Sequence, residues 1–211
     1  ASTIVQMSNN LPIIILPGMH NMLVRDLQLM YNTQQTSSNT NSMCIQGALG
    51  LYDSGFYNST FENLLLTKGW IGIGAKQESP LIGPIWGNYM NRIWFNDITG
   101  SAVYFNAPAG QPNHRFNNMY VRSPAMQTTM FVLGASDGTE FYNTEVNGWT
   151  GNQLMDMSGG GSLTCSGWRI EAGTVNYTSG SLRFLFNLQN AFSATFDRFA
   201  IEGVTFTQTN N

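Results

Sequence analysis

Charge is scarce in this chain of 211 residues: lysine, arginine, aspartate and glutamate make up only 10% of it. An average globular domain has about a quarter. Nine basic residues against twelve acidic ones give a formal net charge of −3. We therefore expect no nucleic-acid partner, because no basic surface is available to neutralise phosphates. Disorder is not expected either, because 42% of the residues are hydrophobic and 12% are aromatic.

Long apolar runs, cysteine pairs and metal-binding spacings are also missing. The longest apolar run, residues 11–17, is too short to cross a bilayer, and no charged segment precedes it as in a signal peptide. We interpret Cys44 and Cys165 as small buried side chains, with a disulfide between them as the alternative. His20 and His114 lack metal-ligand spacing with cysteine or aspartate, so neither a metal site nor a cofactor is expected.

What the chain does contain is an internal repeat. An apolar residue, a second three positions later and a third two positions after that recur seven times, and Thr144 is the one polar exception. The segments are Val24/Leu27/Leu29, Phe61/Leu64/Leu66, Met90/Ile93/Phe95, Phe116/Met119/Val121, Phe141/Thr144/Val146, Cys165/Trp168/Ile170 and Phe196/Phe199/Ile201. Each of the six intervals between these segments also holds a second apolar strand, namely Met43–Ile45, Trp70–Ile73, Ala102–Phe105, Met130–Leu133, Leu154–Met157 and Arg183–Phe186.

The three-then-two spacing predicts a bend within each strand. Residues two apart share a face of a strand, whereas residues three apart share one only if the chain bends between them. The bend positions are rich in Asn, Asp and Gly, which tolerate left-handed backbone angles. They are Arg25-Asp26, Glu62-Asn63, Asn91-Arg92, Asn117-Asn118, Tyr142-Asn143, Ser166-Gly167 and Asp197-Arg198. This pattern predicts an all-β fold, a right-handed parallel β-helix of about seven rungs, as a single domain over residues 1–211.

Two other folds are less compatible with the pattern. A leucine-rich repeat needs shorter repeats with a regular Leu/Asn pattern, which this chain lacks. An antiparallel sandwich needs hairpin turns between paired strands, and the Asn-Gly signal occurs only at Asn147-Gly148.

Segments such as Phe61–Leu66 and Phe116–Val121 resemble the rungs of the pectate-lyase-like superfamily of right-handed β-helices. The resemblance covers about residues 20 to 206 and concerns the fold, not a catalytic motif. In composition the chain is most similar to bacteriophage tailspike and capsule depolymerase proteins. That resemblance implies a homotrimer, part of a longer virion or extracellular protein, that recognises and usually depolymerises a bacterial capsule or lipopolysaccharide. The calcium-binding Asp cluster of pectate lyases is absent, so calcium-dependent elimination is not implied.

The repeat also predicts which outward residues are neighbours on successive rungs, about 4.8 Å apart. The residues between the second and third apolar positions form one column: Gln28, Leu65, Trp94, Tyr120, Glu145, Arg169 and Ala200. Those just after the third position form another: Met30, Thr67, Asn96, Arg122, Asn147, Glu171 and Glu202.

Exposed aromatic rings beside carboxylates in these columns indicate a sugar site. The predicted substrate-binding residues are Trp94, Tyr120, Arg122, Arg169 and Glu202. Glu145 and Glu171 are the predicted catalytic residues, because their backbones lie roughly 8 Å apart, a spacing compatible with an inverting glycosidase. Asp137, Glu140 and Asp156 are reserve carboxylates.

Three interpretations of these columns stay open: a catalytic site, a sugar-binding site without chemistry, and a surface ion-pair ladder of little energetic weight. The functional prediction is a polysaccharide depolymerase, with hydrolysis favoured over elimination. The alternative is a non-catalytic receptor-binding or structural fibre, and a plant cell-wall pectinase is a third class.

Overall fold

The computed structural model describes residues 2–16, 18–47, 57–75, 85–105, 113–124, 128–178 and 185–209. The described residues form fifteen strands and no helix. They are β1 (Ser2–Gln6), β2 (Ile14–Leu16), β3 (Leu23–Tyr31), β4 (Met43–Gly47), β5 (Thr60–Thr67), β6 (Ile71–Ala75), β7 (Tyr89–Asn96), β8 (Ser101–Tyr104), β9 (Arg115–Arg122), β10 (Phe131–Val132), β11 (Ala135–Gly151), β12 (Met155–Asp156), β13 (Gly160–Thr178), β14 (Phe186–Asn187) and β15 (Ala191–Thr209).

The strands alternate between two parallel sheets. The odd-numbered strands form an eight-stranded sheet, called sheet A here, and the even-numbered strands form a seven-stranded sheet, called sheet B. Each strand pairs only with the strands two places away in the chain, so the backbone winds as a parallel β-solenoid of about six turns. The predicted all-β parallel solenoid is therefore confirmed.

The seven repeated segments correspond to β3 and the six later strands of sheet A. Strands β1 and β2 were not predicted, and β1 pairs with β3 only over Leu27 to Tyr31, after the bend. The second strands also match their predicted positions to within a few residues. The first half of the last one, residues 183–184, lies outside the described residues, which contain β14 at Phe186–Asn187.

Every predicted bend contains a left-handed residue at its second position. These φ angles lie between 51° and 70°, and the residues are Asp26, Asn63, Arg92, Asn118, Asn143, Gly167 and Arg198. The corner is bonded from turn to turn: the Asn63 amide donates to Asp26 (2.6 Å). Arg92 is not a residue that favours this conformation, but its guanidinium donates to Glu62 at 2.8 Å. Polar side chains therefore stabilise the bend that the spacing predicts.

Most apolar positions of the repeat form one continuous core between the two sheets, whereas Phe196 and Ile201 of the last repeat are exposed. Phe116 and Phe141 stack there with ring centroids 4.2 Å apart, and Thr144 also points inward, at 1% exposure. Cys44 and Cys165 are both buried and free, as predicted. Burial raises the pKa of Cys44 to about 12 and also raises that of Cys165, so both thiols stay protonated and unreactive at neutral pH.

The described part of the chain contains neither a membrane-spanning helix nor a metal-binding cluster. None of its segments is a helix long and apolar enough to cross a membrane. Nor does it hold a group of three or more His, Cys, Asp or Glu side chains arranged to bind a metal ion.

Candidate functional site

Both predicted outward columns form on sheet A. In the first, Trp94 pairs with Tyr120, and Tyr120 pairs with Glu145. In the second, Arg122 is aligned in strand register with Asn96 and Asn147, and Glu171 follows at the next turn. One member departs from the prediction: Thr67 is only 7% exposed and is therefore not part of the open surface.

The alternation of β7 fixes the orientation of Trp94. Its neighbours Ile93 and Phe95 are both fully buried, so the residue between them must face outward. Trp94 is accordingly 56% exposed. The ring of Tyr120, on the next turn, lies 5.7 Å from it with the planes inclined at 51°. The two rings form a stepped aromatic surface.

This aromatic surface belongs to a cleft of about 570 Å³, called the sheet A cleft here. That volume is typical of small-ligand sites, which range from about 300 to 1,000 Å³. Its lining residues are Leu65, Trp94, Asn96, Tyr120, Arg122 and Glu145. Four of the seven predicted site residues therefore meet in one cleft. Leu65 and Asn96 were in the predicted columns but were not singled out as site residues.

The sheet A cleft also holds two charged side chains that have no partner. Among the described residues, Arg122 makes no ion pair or hydrogen bond, and neither does the carboxylate of Glu145. The other described arginines are all ion-paired: Arg25 with Asp26, Arg92 with Glu62, Arg115 with Glu140, Arg169 with Glu171 and Arg198 with Asp197. The remaining described carboxylates also have partners, including Asp97 with Asn96, Asp137 with Ser162, Asp156 with Asn187 and Glu202 with Arg169.

The other three predicted site residues form a separate ion-pair cluster beyond the cleft. The Arg169 guanidinium lies 2.5 Å from a Glu171 oxygen and 3.5 Å from a Glu202 oxygen. Asn147 donates to the second Glu171 oxygen at 3.3 Å. Glu145 and Glu171 are thus close in register but differ in surroundings. Glu145 is free beside aromatic rings, whereas Glu171 is held by a cation.

The two histidines lie away from this cleft. His20 stacks on Tyr57, which in turn stacks on Trp86, with ring centroids 5.0 and 4.9 Å apart. His114 is fully buried between Phe105 and Phe116. Neither histidine is therefore placed to act on a ligand in the sheet A cleft.

No protein-family model, curated protein or solved structure matches this chain. What is established is the parallel β-solenoid itself. The sheet A cleft is therefore the feature that bears most directly on function.

Proposed function

We propose that the protein binds a polysaccharide in the sheet A cleft. A single observation carries this proposal. The exposed Trp94–Tyr120 surface lines the same cleft as the one arginine and the one carboxylate that lack partners in the described structure. The other described arginines and carboxylates are ion-paired or hydrogen-bonded, whereas Arg122 and Glu145 line one cleft without such partners and remain free to bind a ligand.

The chemistry of the sheet A cleft suits a sugar chain. Sugar rings have an apolar face of C–H groups, which packs on aromatic rings such as those of Trp94 and Tyr120. Their hydroxyl groups need both donors and acceptors. Arg122 supplies donors, and the carboxylate oxygens of Glu145 supply acceptors. Aromatic walls with a few well-placed polar groups are the usual composition of a specific ligand site.

The sugar chain in this proposal is a bacterial capsule or lipopolysaccharide. This class comes from the resemblance to bacteriophage tailspikes, supported by the solenoid fold. The homotrimeric state and the virion or extracellular location are parts of the same proposal and have the same source.

Hydrolysis of the bound polymer is the reaction that we propose for the cleft. Glu145 is the general acid or base, since it is half-buried beside the aromatic rings and free to exchange a proton with a ligand. Glu171 is the second carboxylate that an inverting mechanism needs. The alternative, binding without turnover, is favoured by the ion pair that holds Glu171 to Arg169.

The experiment is to mix the protein with purified capsules and lipopolysaccharides from a panel of bacterial strains, and to measure both binding and the oligosaccharides released. We expect Glu145→Gln to lower turnover about 100- to 10,000-fold while binding is largely kept, because the amide cannot transfer a proton. Glu140→Gln is the matched control, since Glu140 lies on the same strand β11 but pairs with Arg115 outside the cleft. It should leave turnover unchanged.

The other outcomes separate the possible roles. A similar loss in Glu171→Gln supports the carboxylate pair, whereas unchanged turnover assigns Glu171 to the ion-pair cluster. Binding without any released oligosaccharide identifies a receptor-binding solenoid. Failure of every polymer in the panel to bind contradicts the proposed function.

A further inference from the structure

A second groove, of about 480 Å³, lies on the outer face of sheet B. We call it the sheet B groove. The residues that matter for its chemistry are Trp70, Ser101, Tyr104, Thr128, Thr129 and Asp156. Tyr104, Val132 and Asp156 occupy equivalent positions on β8, β10 and β12, so the groove runs across successive turns. It and the sheet A cleft have no described lining residue in common.

The aromatic wall of the sheet B groove is made possible by a glycine. A Cβ atom at Gly100 would lie 2.7 Å from two ring atoms of Trp70, too close for any side chain. Gly100 therefore lets the indole lie against the following turn. Trp70 and Tyr104 are both half-buried, so parts of both rings remain open to the groove.

The polar part of the groove is rich in hydroxyl groups. The Ser101 hydroxyl donates to the Thr129 carbonyl at 2.6 Å and lies 3.2 Å from the Thr128 hydroxyl. One oxygen of Asp156, Oδ1, accepts hydrogen bonds from the Ser158 amide (2.9 Å) and from Asn187 (3.1 Å). The other oxygen, Oδ2, has no partner in the described part of the chain. A fixed carboxylate with one free oxygen is an acceptor already oriented for a ligand hydroxyl.

The charge of the groove restricts its ligand. Among the residues that the structure describes, Asp156 is the only charged one that lines the groove, and none of the described lysines or arginines does. An acidic sugar would meet an uncompensated negative charge, whereas the hydroxyls of a neutral sugar can donate to Asp156. This differs from the sheet A cleft, where Arg122 is available to an acidic group.

We propose that the sheet B groove is a second glycan-binding site, specific for neutral sugars, in which rings pack on Trp70 and Tyr104 and a hydroxyl donates to Asp156. It is independent of the sheet A cleft, since a different sheet builds it. Where one polymer reaches both sites, the overall affinity exceeds that of either site.

The test is affinity electrophoresis through gels containing neutral polymers (dextran, β-1,3-glucan, mannan or galactomannan), with polygalacturonate as the acidic comparison. We expect at least one neutral polymer to retard the protein more than polygalacturonate does. Trp70→Ala should weaken that retardation about tenfold, the value of one aromatic contact. Val132→Arg keeps Trp70 but fills the groove from β10, and should act in the same way if Trp70→Ala impairs folding.

Trp86→Ala is the matched control, because Trp86 is also half-buried but stacks on Tyr57 outside both sites. It should be retarded like the wild type. The inference is overturned if no neutral polymer retards the wild type, or if Trp70→Ala and Val132→Arg are both retarded normally. Loss of retardation only in Trp94→Ala would leave the sheet A cleft as the sole site. Loss only in the groove variants would leave the sheet B groove as the sole site.

Discussion

Replacing Trp168 with alanine is expected to lower the free energy of unfolding by about 3 to 5 kcal/mol, the usual cost of truncating a buried tryptophan. Trp168 is 1% exposed. Its ring stacks on Phe199 at 5.9 Å and meets the edge of Phe141 at 5.3 Å. It also lies 5.9 Å from Phe131 of sheet B, so it joins the two sheets. Its removal leaves a cavity that these rings cannot fill.

Trp94→Ala is the matched control for this prediction, because it makes the same chemical change on a ring that is 56% exposed. Its unfolding free energy should stay within about 1 kcal/mol of the wild type, as for most surface changes. Equilibrium denaturation in urea measures both variants. Equal losses in the two would mean that the assignment of inward and outward faces is wrong.

Acidification should also destabilise the protein, through His114. The side chain is fully buried beside Phe105, and neither ring nitrogen has a hydrogen-bond partner of normal geometry among the described residues. Burial lowers the pKa of His114 from 6.5 to about 4, outweighing the opposite influence of the Ile85 backbone. The ring is therefore neutral in the folded protein at neutral pH.

The direction of the pH effect follows from proton uptake. Well above pH 6.5 the histidine is neutral in both states, so its contribution to stability is constant. Between pH 6.5 and about 4 the histidine is protonated in the unfolded chain but stays neutral in the folded protein. Each pH unit in that window therefore removes about 1.4 kcal/mol, roughly 3 kcal/mol in total.

Urea denaturation between pH 7.5 and 4 measures this effect as the difference between the wild type and His114→Leu. The leucine variant removes the titrating ring, so its stability should fall less on acidification. His20→Gln is the control, since His20 is exposed, and it should follow the wild type. A wild type whose acid sensitivity equals that of His114→Leu would contradict a buried neutral imidazole.

Most of the fold could be predicted from the sequence because a solenoid repeats its constraints. Each turn needs the same inward positions and the same left-handed corner. The three-then-two spacing therefore recurs in every turn, together with a corner residue such as Asn118 or Asn143. Strand β1 escaped prediction because it forms only the half of a rung that follows the bend. A half rung carries two apolar positions at most, which is too short a pattern to recognise.

The sheet A cleft could be predicted only as far as the backbone determines it. Register alone places Glu145 between Tyr120 and Arg169. Which carboxylate Arg169 pairs with depends on side-chain conformation, and the guanidinium turns to Glu171 and Glu202 instead of Glu145. The sheet B groove was missed because its members come from short strands and the turns beside them, where no repeated spacing fixes the neighbours.

The most direct test of the central claim, that Trp94 holds a sugar ring, is the affinity of Trp94→Ala for the capsule or lipopolysaccharide that binds the wild type best. Isothermal titration calorimetry on both folded proteins gives the comparison. We predict a loss of about tenfold or more in affinity, the value of an aromatic packing contact, with little change in stability. An affinity equal to that of the wild type would contradict glycan binding at the sheet A cleft.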